Sequence, residues 1–200
     1  MCIDFHYINQ QVILYRIPLV TFSTSCGNIK LDGNTIADQA LSSAIFHFKN
    51  KKTFNFLDRG SDERQYCYPG IDLPLVTFCK TKFGEFPEYH TSDDNLKLVT
   101  KKGMEESLSV FINIVEAFEL GCVPSNTNFC EPNLGKRNLY PLVSKKGNYS
   151  NLKTRMNLLA YADGQNNLFA ISKKIKSPLD KVIEEYKILL KENLLKNSYL

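Results

Sequence analysis

Two polar loops hold most of the side chains in this sequence that could carry acid–base or metal chemistry. The loop at residues 58–66 reads DRGSDERQY, and the loop at residues 84–96 reads GEFPEYHTSDDNL and contains His90, one of only three histidines. Each loop follows an apolar segment with the pattern of a strand. The side chains that could meet there are carboxylates, an imidazole and a guanidinium: Asp62, Glu63, Arg64, Glu88, His90, Asp93 and Asp94.

A set of carboxylates and one imidazole is suited to zinc. Zinc takes nitrogen and oxygen ligands, and catalytic zinc keeps one position open for water. In an open α/β sheet, loops at the carboxyl ends of strands gather into one crevice, which would bring the two loops together. The plainer interpretation is that both are solvated charged loops and that His90 is an ordinary surface histidine. Residue types and spacing leave both interpretations open.

The elements that would position these loops alternate between helix and strand. Asn34 or Thr35 can cap a helix that continues to about residue 48, and strand patterns follow at residues 53–57 and 73–78. A helix at residues 104–120 ends at Gly121. Its predicted buried stripe comprises Leu108, Phe111, Ile112, Val115 and Phe118. This order predicts an α/β fold.

The last fifty residues have a different pattern. Helices are predicted at residues 152–162, 168–175 and 178–192, with Ser177-Pro178 starting the last one. A short helix, a tight turn and a longer helix form a helix-turn-helix, here within a winged-helix domain with little room for a wing. The predicted organisation is therefore an α/β domain at 1–121, a connecting segment at 122–150 and a winged helix at 151–200.

Charge is concentrated in this C-terminal part. Residues 1–150 hold 16 Lys+Arg and 16 Asp+Glu, so the formal charge of +4 comes from residues 151–200. Lys173 and Lys174 lie near the turn and could contact phosphates of a nucleic acid. Acidic residues dilute that face and it has no arginine, so we expect weak nucleic-acid binding or none. A winged helix can equally be a protein-interaction module.

Composition excludes several other classes. No apolar run reaches the ~20 residues that cross a bilayer, and the N-terminus lacks the pattern of a signal peptide. None of the six cysteines forms a C-x-x-C pair, which argues against a zinc ribbon or a thioredoxin-like site. We therefore expect a cytoplasmic protein with reduced thiols and no membrane partner.

Four long motifs in order carry a family resemblance: FLDRGSDERQYCYPGIDLPLVTF, GEFPEYHTSDDNL, EPNLGKRNLYPLVS and LLAYADG. They resemble bacterial aminopeptidase-like proteins of the zinc exopeptidase superfamily that end in a winged-helix domain. These proteins are often described as domains of unknown function and are associated with polysaccharide-biosynthesis loci. The resemblance runs from about Gly33 to the C-terminus. It implies a zinc-aminopeptidase-like α/β sandwich and a peptide-like or amide substrate.

The resemblance also implies roles for individual residues. Tyr89-His90-Thr91 matches the loop that supplies the last histidine ligand in such enzymes, so His90 is the implied metal ligand. Ser61-Asp62-Glu63 takes the place of a Ser-Asp-His segment, and Glu63 is the implied catalytic residue. Arg64 has the planar fork that pairs with a substrate carboxylate. The residues implied to contact substrate or support the ligands are Asp62, Arg64, Tyr89 and Asp93.

One departure from the family matters most. Its members resemble chains about twice as long, whose first half carries another histidine, a bridging aspartate and a catalytic glutamate that we do not find here. One histidine cannot hold a catalytic zinc, which takes about three protein ligands. We therefore expect the C-terminal part of such a protein, truncated and inactive alone, whose partner is the missing N-terminal half or a second copy. The alternatives are an altered site built from Asp62, Glu63, His90 and Asp93 or Asp94, or a regulatory protein acting through its winged helix.

Overall fold

A computed structural model describes residues 19–23, 35–49, 51–54, 56–60, 63–71, 73–140 and 148–199. The chain divides into two compact units, Met1–Phe111 and Ile112–Leu200, which we call unit 1 and unit 2. No helix in the described ranges is long and apolar enough to cross a membrane.

The first helix of unit 1, α1 (Ile36–Ala44), begins with a capping box. The Thr35 hydroxyl accepts a hydrogen bond from the Asp38 backbone N–H at 3.4 Å, and the Asp38 carboxylate accepts one from the Thr35 N–H at 2.9 Å. This arrangement satisfies two N–H groups that the helix itself leaves without partners. Thr35 is thus the cap, one of the two residues that the sequence allows. The helix ends at Ala44, about one turn earlier than predicted.

Three strands form the sheet of unit 1: β1 (Leu19–Ser23), β2 (Lys51–Phe54) and β3 (Val76–Cys79), in the order β2-β1-β3. Strand β1 is parallel to β2 and antiparallel to β3. The predicted strand at 53–57 ends at Phe54, and residues 56–58 form a 3-10 turn instead. The strand predicted at 73–78 starts only after Pro74, which cannot donate to a sheet. A four-residue helix, α2 (Glu63–Tyr66), lies between β2 and β3.

The long helix α3 (Lys101–Glu119) buries a different face from the predicted one. Leu108 and Ile112 of the predicted stripe are 54% and 53% exposed, so that part of the prediction is wrong. Small side chains dominate the buried positions, which are Gly103, Ser107, Val110, Ile114 and Ala117. The larger apolar side chains of the predicted stripe therefore do not set the buried face of this helix. The helix ends before Gly121, whose φ of 78° suits glycine, as the sequence predicts.

Unit 2 contains three helices and a two-stranded sheet. The helices are α4 (Asn148–Tyr161), α5 (Leu168–Ile175) and α6 (Leu179–Lys191), and β4 (Val123–Asn126) pairs antiparallel with β5 (Leu195–Ser198). Asn167 caps α5, and Pro178 precedes α6. Strand β4 comes from the segment at 122–150 that the sequence pattern assigns to a connection, because VPSN has neither alternation nor β-branched residues after Val123. The apolar side chains of all three helices fill one core, including Phe169, Tyr186 and Leu189.

Candidate functional site

His90 occupies a tight turn after β3. The backbone N–H of Thr91 donates to the Glu88 carbonyl at 3.0 Å, which makes His90 the third residue of a four-residue turn. The Thr91 hydroxyl donates to the same carbonyl at 2.8 Å and accepts from the Asp93 N–H at 3.2 Å. These bonds fix the backbone on both sides of His90.

The backbone of His90 is in the left-handed region, with φ at 60°. Three other described residues that are not glycine share this property, and all three follow helix ends: Asn138, Lys176 and Asn193. Left-handed residues are common where helices end. His90 lies in a loop, at a turn position that usually takes glycine or asparagine. Strain of this kind at a histidine motivates a functional hypothesis, because such residues cluster at ligand sites.

The His90 side chain is exposed and rests against one neighbour. Its ring centroid lies 4.1 Å from that of Tyr89, at an interplanar angle of 53°. In the described part of the chain the imidazole makes no hydrogen bond. The exposed imidazole therefore has no described partner other than the Tyr89 ring.

The two polar loops meet beside this turn. Gly60 lies so close to Phe83 that a Cβ at residue 60 would be 2.6 Å from Cζ of the Phe83 ring. The Phe83 centroid is in turn 6.5 Å from that of Tyr89. Lys82 pairs with Asp58 at 3.6 Å. The loop at 58–60 and the loop at 82–90 therefore pack together.

The two loops meet for a different reason from the one that the sequence predicts, which is that both follow the carboxyl ends of strands in one crevice. Because β2 is parallel to β1 and β3 is antiparallel to it, β2 and β3 run in opposite directions. The carboxyl ends of β2 and β3 therefore point in opposite directions along the sheet. The loops meet through the Gly60–Phe83 contact, which no periodicity in the sequence reveals; a glycine inside a polar loop is the one available signal.

A small apolar cluster lies at the two described ends of the loop at residues 58–66. Phe56 and Cys67 are buried and pack with Leu75. The Arg59 guanidinium lies 4.6 Å from the Phe56 ring centroid and donates to the Phe56 carbonyl at 3.2 Å. The base of the loop is thus fixed by packing.

The other predicted site residues are placed as follows. Asp62 and the side chain of Glu63 lie outside the described residues. Arg64 on α2 and Asp93 in the His90 loop are exposed, whereas Glu88 and Asp94 are half-buried.

No zinc site forms among the described side chains. Among the residues that the structure describes, no three His, Cys, Asp or Glu side chains are grouped so that they could hold a metal. The described donors therefore do not fit a complete zinc centre, and His90 would need ligands from elsewhere.

The clearest electrostatic perturbation in unit 1 lies away from these loops. A hydrogen bond from Lys80 lowers the pKa of the Glu106 carboxyl, and the charge of Lys80 adds to the effect. Lys80 also lies 5.5 Å from the Phe48 ring centroid. This ion pair holds α3 to the end of β3, which is a structural role.

In unit 2 the predicted nucleic-acid residues Lys173 and Lys174 are both exposed. Lys174 donates to Asn166 at 2.6 Å and lies 5.4 Å from the Tyr161 ring centroid. The solvent-facing charges of α6 are mixed, and Lys187 pairs with Glu116. The exposed charged residues of α6 are Asp180, Lys181, Glu184, Lys187 and Lys191.

Two family models match the chain. Residues 27–121 match a domain of unknown function (DUF4910), and residues 122–197 match a winged helix-turn-helix.

A relative and a solved structure agree with these matches. A Clostridium acetobutylicum protein named "Putative polysaccharide biosynthesis protein with aminopeptidase-like domain" is 32% identical over 145 residues, covering 71% of this chain and 33% of its own. The crystal structure titled "putative peptidase" from the same species superposes with a TM-score of 0.70 at 27% identity. That match covers 92% of this chain and 40% of the other. This chain thus spans about a third of the relative and two fifths of the solved structure.

These comparisons confirm the resemblance inferred from the four sequence motifs. They also confirm an α/β fold followed by a winged helix, and they show that the chain is similar to part of a protein named for an aminopeptidase-like domain.

Proposed function

We propose that this chain, which joins a domain of unknown function (DUF4910) to a winged helix-turn-helix domain, is the His90-bearing part of a zinc-dependent aminopeptidase-like hydrolase of peptide or amide bonds. The observation that carries the proposal is the His90 turn. An exposed imidazole without a hydrogen bond stands on a strained backbone that no helix end explains. The aminopeptidase-like relative and the peptidase structure support the same class.

The zinc centre in this proposal is shared. His90 would supply one ligand, and a second polypeptide would supply the others, because catalytic zinc takes about three protein ligands. Unit 1 exposes large apolar side chains, which a second polypeptide would cover. The exposed ones among its described residues are Leu57, Tyr68, Ile71, Leu73, Leu96, Met104 and Leu108.

The remaining predicted residues have roles toward the substrate. Glu63 is the proposed general base. The exposed guanidinium of Arg64 suits a substrate carboxylate, which its fork would hold through two hydrogen bonds. Tyr89 and Asp93 flank His90 and shape the approach to it. The free thiols of Cys122 and Cys130 support a reducing, cytoplasmic location.

Hydrolysis of an aminoacyl p-nitroanilide, with zinc added, tests this proposal. The full chain alone should give no release above a zinc-only blank, since the ligand set is incomplete. Turnover that His90→Ala abolishes would support the His90 role and contradict the need for a second polypeptide. Turnover that persists in His90→Ala would contradict both the role of His90 and the need for a second polypeptide. His47→Ala is the matched control, because His47 is also exposed and rests on an aromatic ring, that of Phe48.

A second candidate function belongs to unit 2, as a nucleic-acid or protein-interaction module. Its winged-helix match and the exposed Lys173 and Lys174 favour this candidate. The mixed charge of α6 favours a protein partner over a nucleic acid, because groove-binding helices present mainly basic and neutral polar side chains.

A mobility-shift titration with duplex DNA at low salt distinguishes a nucleic-acid partner from a protein partner. We expect weak binding that disappears as salt rises. Sub-micromolar binding, lost in the Lys173→Ala/Lys174→Ala variant, would show a nucleic-acid function instead. Lys153→Ala is a suitable control, since Lys153 is an exposed lysine on α4 away from the turn.

A further inference from the structure

Gly60 and Phe83 form the contact that joins the two loops. The space above Gly60 is filled by the Phe83 ring, whose Cζ would be 2.6 Å from a Cβ at residue 60. Carbon atoms in contact need about 3.5–4.0 Å, so any side chain here would displace the ring. The contact joins residues 58–60 of the first loop to residues 82–90 of the second, where Lys82 also pairs with Asp58.

The same ring continues the contact towards His90. Phe83 lies 6.5 Å from Tyr89, and Phe86 supports Tyr89 from another side at 5.4 Å with an edge-to-face angle of 78°. Aromatic pairs in this range and geometry are attractive and orient one another. Tyr89 then contacts the His90 ring at 4.1 Å. An unbroken series of contacts therefore runs from Gly60 through Phe83 and Tyr89 to His90.

We propose that Phe83 and Tyr89 are positioning residues that fix the His90 imidazole relative to the loop at residues 58–60. The inference rests on the proposed function and deepens it, because a zinc ligand whose side chain is already ordered loses less conformational freedom on binding. All three rings, those of Phe83, Phe86 and Tyr89, are only half-buried. Their mutual contacts therefore lie near the surface, beside the turn that carries His90.

The physical effect is a reduced freedom of His90. An exposed histidine samples several side-chain rotamers, and ordering it costs free energy when a ligand binds. Tyr89 restricts the imidazole before binding, and Phe83 restricts Tyr89. Displacing Phe83 should therefore change the rotamers that the His90 side chain samples, although Gly60 and His90 are 30 positions apart in the sequence.

NMR of the histidine ring carbons and protons in the metal-free full chain tests this inference. The tilted contact with the Tyr89 ring should displace the His90 signals from their position in the unfolded chain. Tyr89→Phe should keep the displacement and Tyr89→Leu should lose most of it. Gly60→Ala should also change it, because the new methyl group moves Phe83. The His47 signals, which depend on Phe48, are the internal control and should stay constant in every variant.

Two results would overturn the inference. One is a His90 signal that is the same in wild type and Tyr89→Leu; the other is a folded Gly60→Ala variant with an unchanged His90 signal. If Gly60→Ala does not fold, Phe83→Leu decides in its place, and an unchanged His90 signal there counts against the inference. The protein is metal-free throughout, so a failure of zinc binding would leave this test intact. An unchanged His90 signal would likewise leave the zinc-binding test intact.

Discussion

His90 combines a left-handed backbone with an exposed side chain. A turn position of this kind is least costly for glycine, and a side chain there costs about 1–2 kcal/mol. The imidazole that occupies this position is the feature on which the proposed metal role rests.

The strain at His90 gives a direct stability prediction. His90→Gly and His90→Ala both remove the imidazole and its contact with Tyr89, so only the backbone preference separates them. We expect His90→Gly to be more stable than His90→Ala by about 1 kcal/mol, measured as the difference in urea unfolding midpoints. Equal stabilities would show that residue 90 is not held in the left-handed region.

The sequence predicts this site only in part. The type and order of residues around Tyr89-His90-Thr91 mark His90 as the candidate ligand, because a histidine beside carboxylates is a chemical signal that a sequence carries directly. The Gly60–Phe83 contact is a matter of three-dimensional packing between distant residues, so it has no periodic signature. Asp62 and the side chain of Glu63 lie outside the described residues, so their roles stay predictions.

At the scale of elements, local signals locate the helices and tertiary packing decides their faces. The cap at Thr35, the start of α6 after Pro178 and the bounds of α5 follow from the sequence, because capping and proline act on adjacent residues. The buried face of α3 does not follow, because its buried positions hold mostly small residues, which a pattern of large apolar side chains does not mark. Strand β4 does not follow either, because its partner, β5, is about seventy residues away.

A buried ion pair between α4 and α6 provides a prediction at this scale. Arg155 donates through Nε to Glu185 at 2.6 Å and also donates to the Leu139 carbonyl, and the two side chains are 13% and 4% exposed. Removing one partner leaves a buried charge, so Arg155→Met should cost unit 2 about 3–5 kcal/mol. The Arg155→Met/Glu185→Leu double variant should recover most of this loss.

Thermal or urea unfolding followed by helical circular dichroism measures these differences. Lys101→Ala is the control, because its pair with Glu105 is exposed on both sides and should change stability by less than about 1 kcal/mol. A double variant as unstable as Arg155→Met would show that the buried charge is not the cause.

At the scale of the whole molecule, the described parts of the two units differ in their number of buried apolar side chains. Among the residues whose burial the structure describes, which exclude residues 1–34, unit 1 has eight buried apolar side chains and unit 2 has eighteen. Buried apolar area is the main source of stability, so we expect the described part of unit 2 to be the more stable.

Amide hydrogen exchange should reveal this difference. We predict that amides of α5 and α6 exchange far more slowly than those of α1 and the strands of unit 1, because local opening requires less exposure of apolar surface in unit 1. Equal protection in the two units would contradict the prediction.

Unit 2 should also lose stability at alkaline pH. Burial raises the pKa of the Tyr186 hydroxyl, which donates to the Gly121 carbonyl at 2.9 Å. Above about pH 10 the unfolded chain loses this proton while the folded chain keeps it. The unfolded state then binds fewer protons, so the free energy of unfolding falls as pH rises.

Tyr186→Phe separates this effect from other alkaline titrations. The variant loses the hydrogen bond and should be less stable at neutral pH, by about 1 kcal/mol. Its stability should fall less steeply above about pH 10 than that of the wild type. Cys122, whose pKa burial also raises, is present in both proteins and interacts electrostatically with Tyr186. Parallel falls in both proteins would exclude Tyr186 as the cause.

Zinc affinity of the metal-free full chain, measured by calorimetric titration, tests the central claim most directly. We predict saturable binding of up to one zinc per chain in the wild type and in His47→Ala. His90→Ala should bind more than about tenfold less tightly, since even the loss of a residue that only supports a ligand costs that much. Equal affinity in wild type and His90→Ala, or no saturable binding by the wild type, would contradict the account.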